Sequence, residues 1–193
     1  MELKTLVQKS RSYRRFDGSV VIDGECLREL IQLAQYSPTM NNLQPLKFWL
    51  SNSADMNALI FPTLGWAGAL KSWTGPGEDE RPSAYIIILG DTSIKENFRV
   101  DYGIAAQSIM LGAAEKGLGG CMMGSVRKED LRKALGIPDK FTILLVLALG
   151  KPAETVVTEF AGEGHGVAYY RDENDAHHVP KRRLAELIVH DIP

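Results

Sequence analysis

"NFRVDYGIAAQSIMLGAAEKG" (97–117) predicts one long helix, stopped by Gly117 and apolar on nearly every side. Ile104, Ala105, Ala106, Ile109, Met110, Leu111 and Ala113 leave no clear polar stripe along its centre. A helix of that kind needs cover all round. A chain of 193 residues can build one compact core. The pattern therefore predicts a sheet against one side of the helix and a second copy of the chain against the other.

The sheet is legible further along. "AYIIILG" (84–90) and "FTILLVLALG" (141–150) are continuous apolar runs, which suits strands buried on both faces. "LKFWLS" (46–51) reads as another strand, and "GGCMMGS" (119–125) as a short strand or extended loop. Asp23 is a candidate N-cap for a helix from 24 to about 36, where Leu27, Leu30, Ile31 and Ala34 keep the helical period. Short helices are expected over 2–9 and 53–60. "RKEDLRKALGIP" (127–138) reads as an amphipathic helix closed by Gly136 and Pro138. The alternation gives an α+β fold, a central sheet with helices packed over it. We expect a single domain over 1–193, with 62–82 as a Gly/Pro-rich, lid-like insertion carrying Trp66 and Trp73. Residues 151–193 are expected to form a long irregular C-terminal arm that ends in "PKRRLAELIV".

Charge excludes some partners. Lys and Arg number 22 against 24 Asp and Glu, so no global field favours nucleic acid or an anionic membrane. The longest apolar run is too short to cross a bilayer. Two distant cysteines, Cys26 and Cys121, make no disulfide framework, and packing is the expected role of both. With no signal-peptide core at the N-terminus, the expected compartment is the cytoplasm.

Familiar chemistries fail on spacing. "GLGGCMMG" (117–124) lacks the third glycine of a dinucleotide fingerprint and follows a helix, not a strand. There is no P-loop and no nucleophile elbow. His165, His177, His178 and His190 have no metal-ligand spacing, and the adjacent pair is expected at the surface or in the arm. What remains is a polar set without an acid–base pair: Arg11, Ser12, Arg14, Asn42, Gln44, Lys181 and Arg182. That set suits anion binding and amide recognition around a cofactor that supplies the reactive atoms.

Four segments in order resemble the FMN-dependent nitroreductase family. They are "RSYRRF" (11–16), "SPTMNNLQP" (37–45), "DYGIAAQSIMLGAAEKGLGGCMMGS" (101–125) and "PKRRL" (180–184). The resemblance covers nearly the whole chain, and it implies a mostly antiparallel sheet and an intertwined homodimer. It implies FMN as cofactor, with Arg11 and Ser12 on its phosphate, whose charge of about two a planar guanidinium suits. Lys181 and Arg182 would join them, with Arg183 competing for the role of Arg182. Arg14 would face the pyrimidine edge of the flavin. Arg15 is expected to be a solvated or ion-paired surface residue, and Ser10 stands where many members carry a further arginine.

The resemblance also gives Pro38, Thr39, Met40 and Asn42 to the flavin from the other subunit, and Gln44 to its pyrimidine edge. Met123, Gly124 and Ser125 would bring backbone to flavin N5. Gly117, Gly119 and Gly120 are expected to serve chain reversal, and no residue is a convincing general acid. The implied activity is hydride transfer from NAD(P)H to the flavin, then electron transfer to a nitroaromatic or quinone type of acceptor. A second reading is a flavin-binding module without fast turnover, whose Trp-bearing insertion closes the flavin face. No metal is implied.

Overall fold

A computed structural model of the chain describes residues 1–162 and 166–192; His165 lies outside the described residues. The chain runs through α1 (Leu3–Lys9), β1 (Phe16–Asp17), α2 (Gly24–Gln35), β2 (Leu46–Ser51) and α3 (Ala54–Ile60). It continues through β3 (Ala84–Asp91), α4 (Asp101–Glu115), β4 (Gly119–Met123), α5 (Lys128–Leu135) and β5 (Phe141–Pro152). Three short strands follow: β6 (Val156–Phe160), β7 (Tyr170–Arg171) and β8 (His177–Lys181). Two compact units result. One comprises residues 1–66 and 75–153, the other 67–74 and 154–193.

In the first unit β5 is the spine. It pairs along one edge with β3, and along the other with β4 and then β1, all antiparallel; β2 extends the sheet beyond β3. All eight residues of β3 are buried, as its unbroken apolar run requires. Its alternating side chains feed two cores. Ala84, Ile86 and Ile88 pack with Leu27 and Leu30 of α2 and Ala106 and Ile109 of α4. Tyr85, Ile87 and Leu89 pack with Ile60 at the end of α3 and Leu131 of α5. Helix starts follow side-chain capping: Asp23 accepts from the Cys26 N–H at 2.7 Å, and Ser53 from the Met56 N–H at 3.3 Å. Gly136 closes α5 in the left-handed region, at φ 64°.

The central helix is shorter than its sequence pattern. It begins at Asp101, not Asn97, because the Asn97 side chain accepts from the Arg99 N–H at 3.1 Å and Arg99 takes φ 42°. Phe98 leaves the helical path to pack over Gly90, where any side chain would collide with its ring. The face of α4 around Val100, Gly103, Ile104 and Gln107 is open in the single chain, along a hollow of about 590 Å³. Within the chain, then, the sheet and α2 cover only part of the apolar helix.

Gly119 and Gly120 do not reverse the chain. Gly117 does, at φ 72°, while both later glycines lie buried inside β4. A methyl on Gly119 would meet the Tyr13 ring at 2.5 Å, and one on Gly120 would meet the Ala148 carbonyl oxygen. They are glycine because β4 is pressed between neighbours on both sides.

The second unit holds a small sheet where an irregular arm was expected: β6 and β8 run parallel, and β7 joins β8 antiparallel. His177, expected at the surface or in the arm, lies in the arm and is buried at 1 % exposure. The His178 ring stacks on Tyr170 and lies between Glu159, at 3.0 Å, and Asp172, at 3.2 Å. The hydrogen bond to Glu159, then that to Asp172, raises the His178 pKa above its ordinary value. Asp172 is lowered, first by the Ala176 N–H and also by His178. The imidazolium contribution is thus complete below the ordinary histidine pKa and lost as pH rises through the raised one. The carboxylate contribution is lost as pH falls through the lowered Asp172 value. Protection factors of the β6–β8 amides, exchange rates taken relative to intrinsic exchange at each pH, are expected to be highest between the carboxylate and histidine ranges and to fall toward alkaline pH. His178→Gln should flatten the alkaline limb.

Candidate functional site

The arginine-rich segment is threaded along the edge of β4. Ser12 bridges Gly120 in parallel, and the Tyr13 N–H donates to the Gly120 carbonyl at 2.9 Å. Arg11 reaches back to cap α1, its Nη2 donating to the Val7 carbonyl at 2.5 Å. Its Nε is buried without a hydrogen-bond partner among the described residues. A guanidinium half-committed to a helix end keeps donors for an anion. Arg14 is half-buried and donates through Nη1 to the Ser12 carbonyl at 3.3 Å. Arg15 is held by Glu80 in a two-oxygen contact at 2.8 and 2.9 Å, so it is a structural ion pair.

The "SPTMNNLQP" stretch folds into a 3₁₀ turn, Met40–Asn42, with backbone in the left-handed region at Asn41 (φ 54°), Asn42 (φ 55°) and Gln44 (φ 50°). Asparagine tolerates that region and glutamine does so less readily, so the turn must be held from outside. Two ties to α4 hold it. Ser37 Oγ and Ser108 Oγ are 2.7 Å apart, and the Met40 N–H donates to Asp101 Oδ1 at 3.1 Å. Within the turn, the Gln44 N–H donates to Thr39 Oγ1 at 3.1 Å, and its side-chain amide donates to Asn42. Thr39 and Gln44 line a hollow of about 290 Å³ that also includes Ser37 and Lys47. Pro38 precedes the turn and Met40 stays 40 % exposed.

Asp101 is the residue that motif spacing did not single out. It is 1 % exposed, and its other oxygen takes the Lys95 ammonium at 3.1 Å. A buried carboxylate satisfied by one cation and one backbone N–H is a fastening point. The available signal was an acid in the first turn of an otherwise apolar helix.

At the far end of β4, the Met123 side chain lies in the core, so only its backbone can face a ligand. Gly124 is exposed, and a methyl added there would touch nothing within 4 Å. Ser125 is tied to the insertion through its carbonyl, which accepts from the Gly65 N–H at 2.8 Å. The arginine segment and the 3₁₀ turn do not converge within one chain. The turn is tied to α4 at Asp101 and, through Ser37, at Ser108, whereas Gly120 approaches α4 at Met110, about 200° round the helix from Ser108 and about 14 Å along it from Asp101.

In the second unit Lys181 ends β8, its carbonyl accepting from the Ala161 N–H at 2.8 Å. Arg182 is exposed and lies 3.7 Å from Glu186, while Arg183 packs over the Phe160 ring. Trp73 carries Arg171 over its ring at 4.7 Å. In the first unit, Trp66 packs against Phe61 and Gly75. Among the described residues no cluster could hold a metal ion, and no helix is long and apolar enough to cross a membrane.

Known proteins share this architecture. YodC of Bacillus subtilis (strain 168), which bears the name of an NAD(P)H nitroreductase, is 23 % identical over 185 residues, covering 75 % of this chain and 87 % of its own. A solved FMN-dependent nitroreductase from Clostridium difficile R20291 aligns at TM-score 0.63 with 20 % identity, over 79 % of this chain and 88 % of that one. A structure named as a nitroreductase in complex with FMN, from Desulfovibrio desulfuricans, aligns at TM-score 0.69 and 19 % identity over 100 % of this chain and 98 % of that one. The sequence profile described as "Nitroreductase family" matches residues 7–151, a span that contains the arginine segment, the 3₁₀ turn, α4 and the five-stranded sheet up to Lys151. The chain belongs to the nitroreductase family.

Proposed function

We propose that the protein is an FMN-dependent oxidoreductase that takes hydride from NAD(P)H and reduces an electron-poor acceptor of nitroaromatic or quinone type. The observation that carries this reading is the buried, unpartnered Arg11 Nε next to Ser12, which bridges Gly120 at the β4 edge, in a chain of this family. Those residues fit a phosphate: a planar donor fork and a hydroxyl on a rigid strand. When bound, FMN supplies the two-electron chemistry between donor and acceptor.

The residues of this chain would hold and orient it. Arg11 and Ser12 take the phosphate, and Arg14 places a cation at the pyrimidine edge. Gly124, with open space where a side chain would stand, lets backbone approach the ring. Lys181 and Arg182 are assigned to the phosphate on the resemblance alone. Pro38, Thr39, Met40, Asn42 and Gln44 would complete the site from a second copy. Supporting a homodimer, the open face of α4 carries Val100 and Ile104, and Met40 and Leu43 are also exposed. An apolar face of that kind suits association.

FMN titration tests the phosphate assignment. Arg11→Ala is expected to weaken FMN binding roughly 10- to 100-fold, the value of one charge-assisted hydrogen bond or more. Arg15→Ala should leave affinity near wild type. Equal losses in the two variants would remove Arg11 from the site.

A further inference from the structure

The first unit contains a further hollow, whose lining includes none of the residues assigned to the flavin. Its volume is about 440 Å³, and its lining includes Asp55, Phe61, Glu78, Arg81, Ser83 and Tyr85. Arg81, Ser83 and Tyr85 stand at alternate positions where the chain bends into β3, and all three line the hollow. Tyr85 is fully buried, yet its phenol oxygen has no hydrogen-bond partner among the described residues. The Ser83 hydroxyl oxygen is buried and equally unpartnered.

A buried hydroxyl without a partner is unfavourable, and two of them two residues apart in the lining of one hollow are not explained by packing. Burial pushes the Tyr85 phenol pKa up, so it stays a protonated donor, and the Arg81 guanidinium is near enough to pull against that shift. Arg81 lies over the Phe61 ring, its guanidinium carbon 4.3 Å from the centroid, a contact that holds the cation beside the hollow. The result is a row of three donors, one of them cationic, beside an aromatic ring. What such a row lacks is an acceptor with two or more oxygens, which a carboxylate supplies. The exposed acids Asp55 and Glu78 line the same hollow. They disfavour a dianion and favour an ammonium group on the same ligand.

We propose that this hollow is a binding site for a small zwitterion of amino-acid type with an apolar or aromatic body. Its carboxylate meets the Arg81–Ser83–Tyr85 row, its ammonium faces Asp55 and Glu78, and its body lies by Phe61. The site is separate from the proposed flavin site, so the proposal stands or falls independently of the flavin reading.

The test is titration of the full-length protein with L-phenylalanine, followed by calorimetry and thermal melting, with L-phenylalaninamide as the probe that lacks the carboxylate. L-Phenylalanine should bind and raise the melting temperature, and the amide should do neither. Tyr85→Phe should melt at or above the wild-type temperature, because it removes an unpartnered buried hydroxyl. The same variant should bind L-phenylalanine about tenfold or more weakly, the value of one hydrogen bond to a charged group. Ser83→Ala should show the same pairing of intact stability and weakened binding. No saturable binding up to tens of millimolar would overturn the proposal. So would equal binding of the amide, or unchanged affinity in Tyr85→Phe.

Discussion

Replacing Asp101 by alanine is expected to destabilise the protein by about 3–5 kcal/mol, the range for breaking a buried ion pair from one side. The Lys95 side chain is 11 % exposed and its partner carboxylate 1 %, so the variant leaves an ammonium with little water and no counter-charge. The same change frees the Met40 N–H and one of the two ties that hold the turn at Asn41, Asn42 and Gln44 in the left-handed region. Stability and flavin affinity should therefore fall together. The melting temperature should drop by about 10 °C, from the ordinary entropy of unfolding of a chain of this size. Asp101→Asn separates the two roles. It keeps an acceptor for the Met40 N–H and loses the charge, so it should melt low but retain more FMN affinity than Asp101→Ala when both are measured well below their transitions. Equal affinities in the two variants would show that the hydrogen bond to Met40 does not position the turn.

Two glycines of the β4 segment should respond in opposite ways. Gly120→Ala places a methyl against the Ala148 carbonyl oxygen, with Leu149 Cδ2 at 2.7 Å. A main-chain oxygen in the central strand cannot swing aside as a side chain does, so β4 must shift from β5, at a cost of about 1–3 kcal/mol or more. Ser12 and Tyr13 are attached at that residue, so FMN binding should weaken with stability. Gly124→Ala meets nothing within 4 Å and its φ lies outside the left-handed region, so its effect on stability should stay within about 0.5 kcal/mol. Its effect on flavin affinity should be large, because the methyl stands where the ring is proposed to approach. Denaturant midpoints and FMN titrations of the pair separate a packing glycine from a ligand-facing one. A Gly124→Ala variant with unchanged affinity would move the ring elsewhere.

What the sequence makes legible follows from how local each signal is. β3 and β5 are readable because a strand covered on both faces must be apolar along its buried run, and residues 84–90 and 143–150 are. The start of α2 is readable because its cap is one side chain three residues from its partner. The start of α4 is not, because Asn97 and Phe98 carry helix-compatible neighbours and are diverted by an Asn side-chain turn and by packing over Gly90. The β6–β8 sheet is invisible to periodicity. Its strands have two to five residues, two of them pair in parallel across more than fifteen residues of chain, and Pro180 sits inside β8.

The candidate site divides the same way. Arg11, Ser12 and the turn residues are conspicuous in composition, so they can be marked from spacing. Asp101 and Gly120 act by fastening those segments to α4 and β4, and that is a property of tertiary contact. The Arg81–Ser83–Tyr85 row looks like the entry of an ordinary strand until burial and the unpaired hydroxyls are known.

The most direct measurement is the absorbance of the FMN-reconstituted protein during anaerobic addition of NADH and, separately, NADPH. The account predicts that the flavin bands bleach promptly with at least one nicotinamide and return when a quinone or nitroaromatic is added. A protein that takes up FMN but keeps its bands with both donors would be a flavin-binding module and would contradict the oxidoreductase assignment. A protein that FMN cannot colour at all would return Arg11 and Arg14 to the role of surface charge.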